Sequence, residues 1–333
     1  MENLNARILH DFENFLEENV KALCIDQSSL FAEMVNYHMG WLDSNHKRGK
    51  RIRPLLLLLS VGAWGADWNA ALPAAAAIET LHNFTLIHDD IQDNSDERHG
   101  KATLWKIYGI PQAINSGDAM FAISQLLILK LQDHYDESVA LQASTILNQA
   151  TRDLAYGQFL DISFEQRESV STQEYLEMIK LKTGVLIRTC TKIAAILAGQ
   201  NQGIVSAAAE FGLSLGLAFQ ILDDYLGVWG DPSTTGKPAS IDLIDRKKSL
   251  PILYGLSKSE EFNRLWKSST MSVEEVKALS NQLLLINADS YTQYHAKYYT
   301  DLALRAFEKL NLGQNEYGES LVGLADALLS RNK

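Results

Sequence analysis

An apolar helical stretch that ends in three carboxylates constrains this chain more than any other feature. Residues 73–93 begin with a proline, which suits the first turn of a helix, and continue in an apolar pattern to Asp89, Asp90 and Asp93. Asp89 and Asp93 are four residues apart and therefore share one helix face. Buried carboxylates cost free energy unless a cation compensates them, and Mg²⁺ takes one or two protein carboxylates with water and phosphate oxygens. The stretch predicts a helix that presents a metal site, with all three aspartates as ligands.

A second acid pair lies in the stretch 219–238. Asp223 and Asp224 come late in an apolar helical pattern, and Gln220 precedes them by three and four residues on the same face. Two acid clusters in one chain suggest several divalent ions that grip one polyanion between helices. We therefore predict that Asp223 and Asp224 are metal ligands as well.

Composition narrows the classes of function and of cellular location. The net charge of −11 argues against general nucleic-acid binding, so an anionic substrate would depend on local basic residues and metal. Cys24 and Cys190 form no disulfide or metal-ligand pattern, as is usual in a reducing compartment. The N-terminus carries early acids, and the most apolar run, 55–63, is too short to span a bilayer. We expect a cytoplasmic protein without a membrane span, folded as one domain over residues 1–333.

The motifs, in their order and spacing, resemble the trans-isoprenyl diphosphate synthases of the polyprenyl synthetase family along nearly the whole chain. The matching strings are GKRIRP at 49–54, LIHDDIQD at 86–93, ERHG at 97–100, GQFLD at 157–161, KTG at 182–184, FQILDD at 219–224, GK at 236–237 and KKSLP at 247–251. The resemblance implies an all-α fold, a large single-domain helical bundle of the isoprenoid synthase type around a deep central cavity. It also implies a homodimer.

The resemblance assigns roles to the basic and polar residues of these motifs. The implied ligands of isopentenyl diphosphate are Lys50, Arg53, His82 and His99. The implied ligands of the allylic diphosphate are Arg98, Lys182, Lys237 and Lys247, and the implied catalytic set is Lys182, Thr183, Gln220 and Lys237. The family typically has arginine at position 99, where this chain has a histidine with fewer donors. Gln158 and Asp161 are expected to brace the metal site.

The product length is predicted from the residues just before the first acid cluster. Phe84 and Thr85 lie five and four residues before Asp89. In the family, the aromatic position helps to form the floor of the tube that receives the growing chain. A single aromatic beside a small residue resembles the C20-forming members, so we predict geranylgeranyl diphosphate as product. Farnesyl diphosphate or a longer product is the alternative.

The implied reaction is Mg²⁺-assisted ionisation of an allylic diphosphate, followed by head-to-tail attack of isopentenyl diphosphate on the cation. The resemblance implies three Mg²⁺ ions per active site, with Mn²⁺ as an alternative metal. Two other functions stay open. A class I terpene cyclase on the same fold would not need Lys50, Arg53 and His82. A catalytically silent regulatory subunit of a heteromeric synthase usually lacks an acid motif, and Gly227, where the family often has a third acid, is the only hint of this.

Overall fold

The computed structural model describes residues 4–24, 29–42, 49–98, 100–231, 240–267 and 271–330, and these residues are almost entirely helical. In this part of the chain, the strands are β1 (Glu97–Arg98) and β2 (Lys101–Ala102), which form one antiparallel pair. The predicted all-α fold is confirmed. Two of the predicted ligands, His99 and Lys237, lie outside the described residues.

The helices of the described residues follow one another along the chain. They are α1 (Leu4–Leu23), α2 (Leu30–Met39), α3 (Ile52–Ala63), α4 (Leu72–Gln92), α5 (Leu104–Tyr108), α6 (Ile110–Leu129), α7 (Glu137–Gln166), α8 (Thr172–Ile179), α9 (Val185–Leu197), α10 (Gln202–Trp229), α11 (Ile241–Ile244), α12 (Leu250–Lys258), α13 (Glu260–Trp266), α14 (Val273–Leu285), α15 (Ala288–Glu308) and α16 (Glu316–Leu329). A π-helical turn, Lys180–Gly184, connects α8 to α9.

The chain divides into two compact units. The first consists of Met1–Thr151, Cys190–Val205 and Leu312–Val322, and the second of Arg152–Thr189, Ser206–Asn311 and Gly323–Lys333. The single domain over residues 1–333 stays a prediction.

Helix α4 is the central helix of the first unit and packs against α1, α2, α3, α5 and α6. Pro73 lies in its first turn, as predicted, and the alanines 74–77 that follow are fully buried. Alanine has the highest helix propensity and its small side chain lets neighbouring helices approach closely. The consecutive leucines 55–59 of α3 are also buried, and each contributes about 2 kcal/mol of hydrophobic stabilisation. This packing fixes the helix that carries the first acid cluster.

The second unit is built around two apolar clusters. One cluster surrounds Tyr175 of α8 and includes Ile221 of α10 and Leu250 of α12. The other surrounds Phe262 of α13 and includes Leu279 of α14. Helix α8 begins with a capping box, in which the Ser171 side chain accepts from the Glu174 backbone and the Glu174 side chain accepts from the Ser171 backbone. Ser171 and Glu174 have the S-x-x-E spacing of a capping box in the sequence, and these two hydrogen bonds set the entry into α8.

Helix α10 is long and apolar enough to cross a membrane, and it is the one helix among the described residues with this property. Its most apolar window has a mean hydropathy of 1.6, and 67% of that window is buried within the fold. Because the core helix of a globular protein shows the same features, α10 is weak evidence for a membrane span.

Candidate active site

The first unit holds a cavity of about 170 Å³ with many basic side chains in its wall. We call it the basic pocket, and its basic residues are His38, Lys50, Arg51, Arg53, His82, Arg98 and Lys101. The structure thus brings together Lys50, Arg53 and His82, which the sequence assigns to one substrate. They come from the loop before α3, from the first turn of α3 and from the middle of α4.

Arg53 and His82 contact each other across the basic pocket. Arg53 Nη1 lies 3.0 Å from His82 Nε2. Burial, and after it the positive charges of Arg53, Arg98 and Arg51, lower the pKa of His82 well below its ordinary value. His82 is therefore neutral, and since arginine can only donate, Nε2 accepts and Nδ1 carries the proton. Burial also lowers the pKa of Arg53, whose buried Nε has no hydrogen-bond partner among the described residues.

Arg51, to which no motif gives a role, forms two internal ion pairs. It lies 2.5 Å from Glu13 of α1 and 2.7 Å from Glu79 of α4, and it is 8% exposed. Its backbone has φ 47°, in the left-handed region, which costs a non-glycine residue about 1–3 kcal/mol. The two carboxylates offset this cost and attach the start of α3 to α1 and α4. Arg53 is left to face the pocket.

The acids of α4 divide into two kinds. Asp90 is 2% exposed, and its Oδ1 accepts a hydrogen bond from Arg98 Nε at 2.8 Å and lies 2.7 Å from Arg98 Nη2 in an ion pair. Asp89 is half-buried and Asp93 is exposed. The Asp93 N–H donates to the Asp89 carbonyl at 2.8 Å, which continues the helical phase to Asp93. Asp89 and Asp93 therefore share one accessible face, as predicted, and Asp90 holds Arg98.

An accessible pair of carboxylates suits a hard cation. Within the described ranges, no group of three or more His, Cys, Asp or Glu side chains is arranged to hold a metal ion. Mg²⁺ does not require such a group, because it binds through one or two carboxylates and completes its octahedron with water and substrate phosphate. The donor set of Asp89 and Asp93 fits this mode of binding.

Phe84 and Thr85, the predicted floor residues, make different contacts. The Phe84 ring packs 4.8 Å from the His88 ring and 5.6 Å from the Phe121 ring of α6, measured between centroids. Thr85 Oγ1 donates to the His82 carbonyl at 2.8 Å, so its hydroxyl is satisfied within α4. Phe121 had no signal in the sequence, since an aromatic residue in an apolar helix is ordinary. The role of Phe84 as a floor stays a prediction.

In the second unit, Asp224 of α10 is held by several donors. It is 1% exposed and accepts from the Tyr175 hydroxyl, from Gln220 Nε2 at 3.1 Å and from the Leu250 N–H at 3.1 Å. Burial raises the pKa of Asp224 to about 6, although the Lys247 charge opposes the shift. Asp223, the preceding residue, is only half-buried. Asp224 is therefore buried among protein donors, as Asp90 is, and Asp223 is more accessible, as Asp89 is.

Thr183, Gln220 and Asp224 form one chain of hydrogen bonds. Thr183 Oγ1 donates to Gln220 Oε1 at 2.9 Å, and Gln220 Nε2 donates onward to Asp224. Thr183 lies in the π-helical turn, a feature that often marks functional sites. In the same turn, Lys182 Nζ lies 2.5 Å from Asp161 Oδ2. The structure thus brings together the residues of the predicted catalytic set that lie in the described part of the second unit.

Two adjacent lysines just before α12 have different partners, carboxylates in one case and backbone carbonyls in the other. Lys247 Nζ lies 3.9 Å from Asp224. Burial alone would lower the pKa of Lys247, but the carboxylates of Asp224, Asp242, Asp223 and Asp161 outweigh it and raise the pKa. Lys248 instead donates to the carbonyls of Phe164 at 2.7 Å and Arg167 at 2.5 Å, at the end of α7. Lys247 belongs to the acid cluster, whereas Lys248 caps a helix.

Comparison with known proteins agrees with these motifs. Residues 36–283 match the polyprenyl synthetase family. A (2E,6E)-farnesyl diphosphate synthase of Mycobacterium tuberculosis is 39% identical, over 66% of this chain and 62% of that protein. A geranylgeranyl pyrophosphate synthase of Geoglobus acetivorans is 37% identical, over 85% of this chain and 87% of that protein. The crystal structure of a polyprenyl synthetase from Streptomyces coelicolor superposes with a TM-score of 0.86 and 33% identity, over 97% of this chain and 98% of that chain.

This chain belongs to the polyprenyl synthetase family. The predicted family is thereby confirmed. The chain spans 62% of the length of the mycobacterial relative and 87% of the archaeal one. These relatives support the predicted prenyltransferase class and favour neither the cyclase nor the silent subunit.

The glycine at position 227, the departure from the polyprenyl synthetase pattern noted above, has a counterpart in the structure. A Cβ atom at Gly227 would lie 2.5 Å from the Asp242 carboxyl carbon. Asp242 of α11 is 8% exposed and interacts electrostatically with Asp224 and Lys247. The carboxylate of Asp242 therefore occupies the space beside α10 that a side chain at position 227 would need. Sequence reasoning missed Asp242, because the residue lies fifteen positions from Gly227 in a polar loop.

Proposed function

We propose that this chain is a trans-prenyltransferase that condenses isopentenyl diphosphate head to tail with an allylic diphosphate. The basic pocket carries this proposal. Lys50 and Arg53 have no carboxylate partner in the described part of the chain, and both line the pocket beside a neutral His82. Such cations favour a bound polyanion, and a diphosphate ester meets that requirement. The farnesyl and geranylgeranyl diphosphate synthases among the relatives support the same activity.

In this proposal the basic pocket binds isopentenyl diphosphate. Arg53 offers its unpartnered Nε–H and the remaining donors of its fork, and Lys50 adds a mobile charge at the exposed edge. His82 orients the Arg53 guanidinium through the 3.0 Å contact. His99 keeps the role that the resemblance implies for it. Arg53 and Lys50 are cations, and the Nε2 lone pair of neutral His82 is occupied by the contact with Arg53, so these groups position the substrate and do not react with it.

The allylic diphosphate is assigned to Arg98, Lys182, Lys237 and Lys247. The contacts of the described residues support these roles one by one. Asp90 holds Arg98 by a hydrogen bond and an ion pair to one oxygen, Asp161 holds Lys182, and Asp224 lies near Lys247. Each of these three cations thus has a carboxylate beside it before any ligand arrives, which is how preorganised sites stabilise developing negative charge.

We assign Mg²⁺ as the metal, three ions per active site as the resemblance implies. Its proposed ligands in the first unit are Asp89 of α4 and Asp93 at the end of that helix, and its proposed ligand in the second unit is Asp223 of α10. When bound, Mg²⁺ neutralises charge on the departing diphosphate. Asp90 and Asp224, also predicted as metal ligands, are buried under hydrogen bonds from protein groups. Their part is to position Arg98 and Gln220.

The carbocation that forms on ionisation needs polar groups that do not react with it. The Thr183 hydroxyl and the Gln220 amide are tied to each other and to Asp224, so their dipoles are fixed rather than free to reorient. Fixed dipoles stabilise developing charge without reorganisation. The isopentenyl double bond then attacks the cation, and the released diphosphate takes up the proton that the resulting cation loses.

We assign C20 geranylgeranyl diphosphate as the product, with farnesyl diphosphate as the runner-up, because relatives of both names match this chain. We also propose a homodimer. Leu126 and Leu129 of α6 and Leu141 of α7 are 48%, 45% and 68% exposed, and a second copy of the chain that packed on them would remove these apolar side chains from water. Cytoplasmic location stays a proposal from composition.

The test is an incubation of the purified protein with Mg²⁺, isopentenyl diphosphate and each of dimethylallyl, geranyl and farnesyl diphosphate, with the dephosphorylated products sized. We expect one C20 alcohol, a longer product from Phe84→Ala, and loss of turnover in Arg53→Met. The matched control is Arg152→Met, because Arg152 is exposed and contacts Asp153 outside the pocket. A cyclic hydrocarbon from farnesyl diphosphate alone would indicate a cyclase, and no product would indicate the silent subunit.

A further inference from the structure

Lys101 is a cation of the basic pocket that no motif assigns. It lies on β2, directly opposite Arg98 on β1. Like charges placed opposite each other in an antiparallel pair repel and destabilise it. Asp90 neutralises Arg98 at 2.7 Å, but Lys101 has no carboxylate partner within the described ranges.

The basic pocket as a whole carries more positive charge than its carboxylates compensate. Arg51 is paired with Glu79 and with Glu13, and Arg98 is paired with Asp90. This leaves Lys50, Arg53 and Lys101, which have no carboxylate partner in the described part of the chain. Burial lowers the pKa of both Lys101 and Arg53, so keeping their charged forms in the folded protein costs free energy. A bound anion with several charges removes that cost.

The ammonium group of Lys101 is fixed in place by α2. Its Nζ donates to the Tyr37 carbonyl at 2.5 Å and to the His38 carbonyl at 3.4 Å, and it lies 4.6 Å from the centroid of the Tyr37 ring. A lysine ammonium has three N–H donors. The two carbonyls use two of them, and the third remains for a ligand in the pocket.

We propose that Lys101 is a diphosphate-binding residue of the basic pocket, which donates its third N–H to the diphosphate of isopentenyl diphosphate. The inference rests on the proposed function. It gives the pocket a fixed positive charge two residues after His99, the position at which the family resemblance leads one to expect an arginine. One polyanion is then bound by three cations, Lys101, Arg53 and Lys50.

Lys101 also caps a helix, so the experiment has to separate two roles. Its contacts at the end of α2 place a cation where the helix dipole favours one. A variant that only weakened this cap would lower stability without a specific effect on either substrate. Tyr37→Phe provides the comparison, because it removes the 2.8 Å hydrogen bond from the Tyr37 hydroxyl to the Ala102 carbonyl and thereby loosens the same hairpin from α2. It changes no charge.

The experiment measures binding of isopentenyl diphosphate alone by titration calorimetry, so that no turnover occurs, together with the thermal midpoint of each variant. We expect Lys101→Met to weaken binding by about tenfold or more, since charge-assisted hydrogen bonds are the strong ones, and Lys101→Arg to restore part of it. Lys106→Met is the matched control, because Lys106 is exposed, pairs with Asp96 and lies outside the pocket lining. In steady state, Lys101→Met should raise KM for isopentenyl diphosphate and leave KM for the allylic substrate unchanged.

Two results would overturn the inference in different ways. If Lys101→Met weakens binding no more than Tyr37→Phe at a similar loss of thermal stability, Lys101 only caps α2, and the proposed function is untouched. If the unaltered protein does not bind isopentenyl diphosphate at all, the proposed function is wrong and the role of Lys101 is wrong with it.

Discussion

The close approach of Gly227 and Asp242 yields a prediction whose magnitude follows from the structure. In Gly227→Ala, the new Cβ would lie 2.5 Å from the Asp242 carboxyl carbon, whereas ordinary contacts between such atoms are about 3.5–4 Å. The buried carboxylate must therefore move by about 1 Å, and overpacking of this kind costs about 1–3 kcal/mol. We expect Gly227→Ala to lower the free energy of unfolding by about 2 kcal/mol.

A second substitution identifies the cause of that loss. Asp242→Ala removes the carboxyl group that the new methyl group meets. In that background, Gly227→Ala should stabilise the protein by up to about 1 kcal/mol, because alanine favours the helical conformation over glycine. The two substitutions should therefore couple by roughly 2–3 kcal/mol, well above the additivity error of independent sites.

The assay is urea unfolding followed by circular dichroism on the two single variants and the double variant. The matched control is Gly323→Ala in α16, because a Cβ at Gly323 meets no atom within 4 Å. We expect this control to be neutral or stabilising. If Gly227→Ala is as mild as Gly323→Ala, or if the cycle shows no coupling, the carboxylate of Asp242 does not occupy this space and the account of the Gly227 departure is wrong.

Two further predictions concern buried groups of the basic pocket. Asp90 is 2% exposed and is the carboxylate partner of the Arg98 guanidinium. Asp90→Asn removes that charge, and we expect urea unfolding to show a loss of about 2 kcal/mol, as for a hydrogen bond to a charged group, while Mn²⁺ affinity stays unchanged. An unchanged stability would contradict this. Burial, and after it the Lys101 and Arg98 charges, lower the pKa of His38 to about 3. Below pH 6.5 the unfolded state therefore binds more protons than the folded state, and the free energy of unfolding should fall by about 2 kcal/mol from pH 7 to pH 5. Urea unfolding at both pH values should show a smaller fall in His38→Gln than in the unaltered protein. An equal fall in both proteins would refute the lowered pKa of His38.

Much of the site could be predicted because residues at a given spacing along a helix lie on a known face of it. The pattern of residues 73–93 predicted a helix with Asp89 and Asp93 on one face, and the hydrogen bond from the Asp93 N–H to the Asp89 carbonyl continues that phase. The Ser171 capping box could likewise be predicted from the sequence, since its two hydrogen bonds join residues that are three positions apart. Interactions of this range depend on the local sequence alone.

The partners of neighbouring cations could not be predicted, because those partners are distant in sequence. Arg51 and Arg53 are chemically identical and two residues apart, yet only Arg51 meets Glu13 and Glu79. Lys247 and Lys248 divide in the same manner, one toward Asp224 and the other toward the carbonyls at the end of α7. Which of two equal side chains is paired follows from how helices far apart in the chain pack, and a local motif holds no information about that.

The division within each acid pair, by contrast, follows from helix geometry and could have been derived. Adjacent residues of an α-helix point about 100° apart, so two consecutive aspartates cannot both face the same opening. If one is accessible, its neighbour turns toward packed protein and requires internal donors there. Asp90 meets Arg98, and Asp224 meets Tyr175, Gln220 and the Leu250 N–H, whereas Asp89 and Asp223 are only half-buried. A DD pair on an apolar helix therefore presents one accessible carboxylate and one buried carboxylate that orients a neighbouring side chain.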